Sequence, residues 1–238
     1  MIELFPEGFE EVDCGSDLEL AAYAGPGAEE RFWQAFGPGD AADVQPGWNE
    51  GWKRFHRPVR VGRLWLGPPW EEPDHDAVPV VIDPGLAFGT GAHATTRLCL
   101  ELLLERDRGS VLDLGCGSGV LAVAAAQLGF APVTALDNDP AAVEAAGENA
   151  RRNGVDVDVR RADIFVDDLP SAQLALANIT RDAARQLGPR LVSAELIASG
   201  YLVPEHPDPP GWSHRERRET DGWAADLFST TARTTMGP

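Results

Sequence analysis

The sequence predicts an α/β protein: a mostly parallel, Rossmann-like sheet that ends in an antiparallel hairpin, preceded by a small α+β part. Three observations carry that expectation. From Val78 onward, short apolar runs alternate with helical patterns, the mark of a parallel sheet with crossover helices. A glycine-rich turn, Asp113-Leu-Gly-Cys-Gly-Ser-Gly119, lies between a buried-strand pattern and a helix pattern. Near the C-terminal end, Asp221-Gly222 separates two strand-like runs, which is a hairpin signal.

Residues 1–47 are acidic and punctuated by Gly and Pro, with a strand pattern over Leu18–Tyr23 and a short amphipathic helix over Ala28–Phe36. The breakers Gly25-Pro26-Gly27 and Gly37-Pro38-Gly39 bound that helix. A Trp-rich connector, 48–77, holds Trp48, Trp52, Trp65 and Trp70, four of the chain's seven tryptophans. Aromatics this large are expected to pack a small domain on a larger one; a substrate platform is the alternative. Residues 78–238 form the main domain. Its strands are expected at Ser110–Leu114, Pro132–Asp137, Val155–Arg161, Leu174–Asn178 and Leu196–Leu202. Helices are expected over Arg97–Glu105, Gly119–Leu128 and Pro140 to about Asn153, with another after Asn178. Pro140 suits a first helical turn, and Asn153-Gly154 suits a helix end. The hairpin pairs Trp212–Arg218 with Trp223–Thr230. Between the fifth strand and this hairpin, Val203–Gly211 carries four prolines and precludes a normal helix. One sheet face is therefore expected to be less covered, or covered by a partner.

The composition narrows the partners. Against 38 Asp and Glu there are 20 Lys and Arg, a net charge of −18. Such a surface lacks the basic footprint of a nucleic-acid binder and favours basic or neutral partners. The same acidity also serves solubility. Cys14, Cys99 and Cys116 form an odd, widely spaced set, which indicates neither a disulfide framework nor a zinc site. Asp74-His75-Asp76 lies in a Pro-rich loop and is read as solvated rather than metal-binding. No apolar run has the length of a membrane span, and the N-terminus has no signal-peptide pattern. A cytoplasmic protein is expected.

The glycine-rich turn separates two cofactor classes. A dinucleotide site needs a third glycine where Val120 stands, and Asp113 would set a carboxylate beside a diphosphate. Both points favour a ligand with a cationic amino-acid end. Asp137 ends the next strand, 22 positions after Gly115, where a carboxylate accepts from both hydroxyls of a ribose. Its alternative is a helix cap shared with Asn138 and Asp139. Asp163, after the third strand, suits an adenine amino group or plain solvation.

These residues resemble the class I S-adenosylmethionine-dependent methyltransferases, and more narrowly the PrmA family of ribosomal protein L11 methyltransferases. The resemblance rests on Ile82–Leu100, Val111–Ala122, Asp137-Asn-Asp-Pro140, Asn149–Gly154 and Ala177-Asn-Ile179. It implies that S-adenosyl-L-methionine is the cofactor, with Phe88, Gly89, Thr90 and Gly91 as a loop over it. Thr96, Gly115, Gly117, Asp137 and Asn178 complete the implied set. Thr95-Thr96 alternatively caps the helix from Arg97. Relatives that methylate adenine or glutamine amides carry N-P-P-Y where this chain has Asn178-Ile-Thr-Arg181, so an aliphatic amine is the expected acceptor. Asn178 is then expected to aim the amine and His93 to relay its proton, or to anchor the loop. The resemblance implies that residues 1–47 are a reduced substrate-recognition domain and that the partner is a basic protein, namely ribosomal protein L11. A small-molecule amine methyltransferase and a non-catalytic cofactor-binding scaffold are the alternatives.

Overall fold

The computed structural model describes the backbone of residues 9–13 and 18–22, Gly37, and residues 57–83 and 93–230. The chain divides into two compact units, Met1–Gly51 and Trp52–Pro238. In the first, strands β1 (Phe9–Asp13) and β2 (Leu18–Ala22) pair antiparallel, Phe9 opposite Ala22. The expected helix over Ala28–Phe36 lies outside the described residues, as do Trp48 and Trp52.

The second unit opens with a three-stranded sheet. Strand β3 (Val59–Val61) pairs antiparallel with β4 (Leu64–Gly67), which runs parallel to β5 (Val78–Val81). Trp65 is buried there. The Asp74-His75-Asp76 loop is not merely solvated, because Arg60 donates to Asp74 at 2.9 Å and Asp76 at 3.1 Å. Among the described residues no cluster of His, Cys, Asp and Glu is arranged to hold a metal.

The main sheet has seven strands. Strands β6 (Val111–Leu114), β7 (Val133–Asp137), β8 (Asp158–Arg161), β9 (Ala172–Asn178) and β10 (Ser193–Leu202) run parallel to one another. The pair β11 (Trp212–Thr220) and β12 (Trp223–Thr230) closes the sheet antiparallel. The spatial order is β11-β12-β10-β9-β6-β7-β8. The order reverses between β6 and β9, the switch point where open α/β sheets bind ligands beyond their strand ends.

Alternation along the strands divides the core by face. Val111, Ala135, Leu176, Ile197 and Leu227 pack with helices α1 (Ala94–Leu104) and α2 (Val120–Gln127), and with Ala146 and Ala150 of α3 (Pro140–Asn153). Leu112, Leu136, Ala175, Leu196 and Phe228 pack on the other face with α4 (Arg181–Leu187). Helix α2 is apolar all round, which suits an element enclosed between the sheet and other helices.

The proline-rich segment 203–211 is not helical, as expected. However, it covers the sheet face itself. Pro207 and Pro209 are buried, Trp212 Nε1 donates to the Gly188 carbonyl at 2.9 Å, and Arg217 Nη2 holds the carbonyls of Val203 and Glu205 at 2.6 and 3.0 Å. Arg217 in turn pairs with Asp226 at 3.2 Å. Asp226 is wholly buried and also meets the Tyr201 hydroxyl and His214 Nε2, each at 2.8 Å. A backbone segment without a helix's internal bonds is thus held by side-chain donors.

Candidate functional site

Of the residues singled out in the sequence, Gly115, Gly117, Asp137, Asp163 and Asn178 lie at or just beyond the C-terminal ends of β6, β7, β8 and β9. Gly115, Cys116 and Gly117 leave β6, and the amides of Gly115 and Cys116 donate back to the Leu136 carbonyl of β7 at 2.8 and 3.0 Å. The turn then enters α2 at Gly119, whose φ is 77°. A Cβ there would also lie 2.9 Å from that of Ala146, so only glycine fits the conformation and lets α3 approach.

Asp137 accepts the Gly117 N–H at 2.9 Å through Oδ2 and the Asp139 N–H at 3.0 Å through Oδ1. The cap of α3 is Asp139, which accepts from Ala141 N at 2.9 Å. A shared cap is therefore corrected to Asp139, and Asp137 instead ties the glycine-rich turn to the end of β7. One strand further, Asp163 accepts the Phe165 N–H at 2.9 Å in a turn of its own.

Asp113 lies on the α1/α2 side of β6, because Leu112 and Leu114 face the other core. Its side chain is buried, and Oδ2 accepts the Ala122 N–H in the first turn of α2 at 3.1 Å. Burial pushes this carboxyl up to about 7, the nearby Asp137 charge adds to the rise, and the Ala122 amide opposes it. A carboxyl raised in the folded state favours folding at low pH and loses that contribution as pH rises through its folded value. Wild-type stability, measured against Asp113→Asn, is therefore expected to fall from about pH 4 to pH 7 and level off above. Thermal unfolding from pH 4 to 8 checks this; parallel curves for the two proteins would refute the assignment.

Across the switch point, Asn178 ends β9 and its Nδ2 donates to Thr96 Oγ1 of α1 at 3.3 Å. Thr96 is buried and does not cap its helix. Helix α1 begins at Ala94, three residues before the expected start, because His93 is the cap: its Nδ1 lies 2.8 Å from Thr95 Oγ1 and accepts from Thr95 N. The His93 ring also packs edge-on to Trp223, centroids 4.8 Å apart. No hydrogen bond joins it to Asn178 among the described residues. Gly200 of β10 lets the chain just after Asn178 come close; its φ is 102°, and a Cβ would lie 2.1 Å from the Ile179 carbonyl oxygen. Phe88, Gly89, Thr90 and Gly91 lie outside the described residues.

One residue escaped the sequence reading. Asn149 of α3 is buried and bonds both the Ser118 carbonyl and the Asp83 amide. Its position in the Asn149–Gly154 stretch was visible, but its partners are 31 and 66 residues away.

Residues 41–225 match the family model described as ribosomal protein L11 methyltransferase (PrmA). The chain is 44% identical over 196 residues to "Ribosomal protein L11 methyltransferase" of Symbiobacterium thermophilum, covering 76% of this chain and 64% of that protein. It is 45% identical over 163 residues to the protein of the same name from Citrobacter koseri, covering 65% of this chain and 54% of that one. The chain thus spans between about half and just under two thirds of the length of these relatives. A crystal structure of a ribosomal protein L11 methylase from Lactobacillus delbrueckii subsp. bulgaricus superposes with a TM-score of 0.65 at 28% identity, covering 74% of this chain and 99% of that one. The sheet, with its parallel body and terminal antiparallel hairpin, is the class I methyltransferase fold. With its family model matched over 185 residues (41 to 225 inclusive), the chain belongs to the PrmA family.

Proposed function

We propose that this chain is an S-adenosylmethionine-dependent protein N-methyltransferase that acts on lysine or α-amino groups of ribosomal protein L11. The observation that carries the reading is the placement of Gly115–Gly119, Asp137 and Asn178 at neighbouring strand ends around the switch point, with Thr96 bonded to Asn178. The residues fit the cofactor chemically. A carboxylate has about four acceptor sites, and the amides of Gly117 and Asp139 take two of those on Asp137. The other two suit the paired hydroxyls of a ribose. Gly115 and Gly117 would hold the ligand beside the N-terminus of α2 and Asp163 would accept from the adenine, while the buried Asp113 ties the base of the turn to α2 through the Ala122 amide.

S-adenosylmethionine, when bound, supplies a methyl group on a sulfonium whose departure needs no acid. The chain's own residues must align the acceptor and exclude water. Thr96 engages the nitrogen of the Asn178 amide, which leaves Oδ1 to receive an incoming amine. That oxygen accepts an amine N–H and aims the nitrogen lone pair. The amine must arrive neutral, and an ordinary lysine at pH 7 costs about 4.6 kcal/mol to deprotonate. Desolvation at the strand ends lowers this cost. His93, seated at the start of α1 one turn before Thr96, is the group nearest in sequence to take up the proton.

The relatives' names support L11 as the acceptor protein, and the net charge of −18 favours approach of a basic protein. No helix among the described residues is long and apolar enough to cross a membrane, and the reading assigns the protein to the cytoplasm. The test is calorimetry with S-adenosylmethionine, followed by transfer of labelled methyl to purified L11. Binding and incorporation into L11 are expected. Absence of binding at sub-millimolar cofactor would remove the premise. Turnover on free amines but not L11 would make the chain a small-molecule amine methyltransferase, and binding without turnover a scaffold.

A further inference from the structure

Through one buried amide, helix α3 bonds both the glycine-rich turn and the chain that follows β5. Asn149 Nδ2 donates to the Ser118 carbonyl at 2.9 Å, inside the glycine-rich turn. Its Oδ1 accepts from the Asp83 amide at 3.1 Å and from Arg152 Nη1 at 3.2 Å. Arg152 also pairs with the Asp83 carboxylate at 3.3 Å. The next residue on this face, Asn153, does a different job. Its amide pairs with both the N–H and the carbonyl of Val81, at 2.8 and 2.7 Å, and so anchors α3 to β5.

The consequence lies in the turn. Ser118 stands between Gly117, whose amide is held by Asp137, and Gly119, which is pressed against Ala146 of α3. Fixing the Ser118 carbonyl fixes the peptide that follows it. The turn is then held from both sides, by Asp137 in front and by Asn149 behind. Ordering a backbone before a ligand arrives removes that cost from binding.

We propose that Asn149 is a positioning residue for the cofactor: with one amide it holds the glycine-rich turn and the chain at Asp83 in the geometry that binds the nucleoside. The proposal rests on the S-adenosylmethionine reading. Asn149→Asp separates its two halves, because a carboxylate still accepts from Asp83 and Arg152 but can only repel the Ser118 carbonyl. S-adenosylmethionine is expected to bind Asn149→Asp about tenfold more weakly, the change that one lost hydrogen bond of ordinary strength produces. The KM for the cofactor should rise in step while kcat at saturating cofactor stays within about twofold, the pattern of a pure binding loss. Asn153→Asp loses the bonds to the Val81 and Asn149 carbonyls but leaves the Asn149 side chain its own partners; it should lower the unfolding temperature and leave cofactor affinity unchanged.

Equal cofactor affinity in Asn149→Asp and wild type would overturn the proposal. So would affinity losses in both variants that simply follow their losses of stability. A wild type that does not bind the cofactor would instead overturn the reading beneath it. A second measurement needs no variant: by NMR, the Asn149 side-chain amide and the Gly117 N–H should exchange slowly with solvent in cofactor-free protein. Fast exchange that slows only on adding S-adenosylmethionine would show the turn to be ordered by the ligand, and the proposal would fail.

Discussion

Replacing Asp137 by alanine is expected to weaken S-adenosylmethionine binding by about 100-fold or more. Hydrogen bonds to a charged group contribute roughly 1.5–3 kcal/mol each, and the proposed ribose contact uses two. The variant also frees the Gly117 amide, which Asp137 holds at 2.9 Å, so the turn loses its front support. Asp137→Asn should fall between, since an amide keeps one acceptor oxygen and replaces the other with a donor. Calorimetry with S-adenosylmethionine and with S-adenosylhomocysteine checks both variants. Loss confined to S-adenosylmethionine would point to the sulfonium charge rather than the ribose, and unchanged affinity for both ligands would mean that Asp137 serves the turn alone.

The largest effect on stability is expected from Arg217→Met. Asp226 is 0% exposed and lies 3.2 Å from the Arg217 guanidinium. Removing one partner of a buried pair leaves an uncompensated charge, at a cost of about 3–5 kcal/mol. Tyr201 and His214 still reach the carboxylate, which favours the lower end. Against that, the carbonyls of Val203 and Glu205 lose their shared donor, and the proline-rich cover loosens at one end. For a unit of this size the lower figure corresponds to a fall in unfolding temperature of roughly 6–12 °C. Adding Asp226→Leu to Arg217→Met should recover much of it, because the stranded charge is then gone. A single variant within 2 °C of wild type would show that the cover stands without this pair.

Local pattern revealed most of the fold. The alternating and apolar runs located β6, β7, β9 and the final hairpin to within a few residues, and Pro140 and Asn153-Gly154 marked both ends of α3. Those signals depend on neighbours in sequence. The errors lie where a distant partner decides. Thr95-Thr96 has the composition of a helix cap, yet His93 caps the helix and Thr96 turns toward Asn178, 82 residues on. The prolines of 203–211 correctly excluded a helix, but nothing local shows that Arg217 and Gly188 would hold the segment against the sheet. At the site, the motif spacing located Gly115, Asp137 and Asn178. The bond between Asp137 and Gly117 was not visible, because a carboxylate after a strand looks the same whether it caps a helix or holds a turn. Asn149 was hidden for a similar reason: a polar residue on a helix reads as exposed until a third segment buries it.

Helix α1 sets the timing of assembly. It is synthesised before any strand of the large sheet, yet its ties run forward along the chain. Thr96 bonds Asn178, Arg97 pairs with Asp221 at 2.6 Å, and Glu105 pairs with Arg218 at 2.6 Å. The Arg97 tie spans 124 residues. At ribosomal rates of about 5–20 residues per second, α1 waits roughly 6 to 25 seconds for that partner to be made. Part of its apolar face already has a seat against Val61, Leu64 and Leu66, and Thr96 gains its partner 82 residues on, before the charged ties to the hairpin can form. The start of α1 is therefore fully seated only when the hairpin has been made, because His93 packs against Trp223 and Arg97 pairs with Asp221.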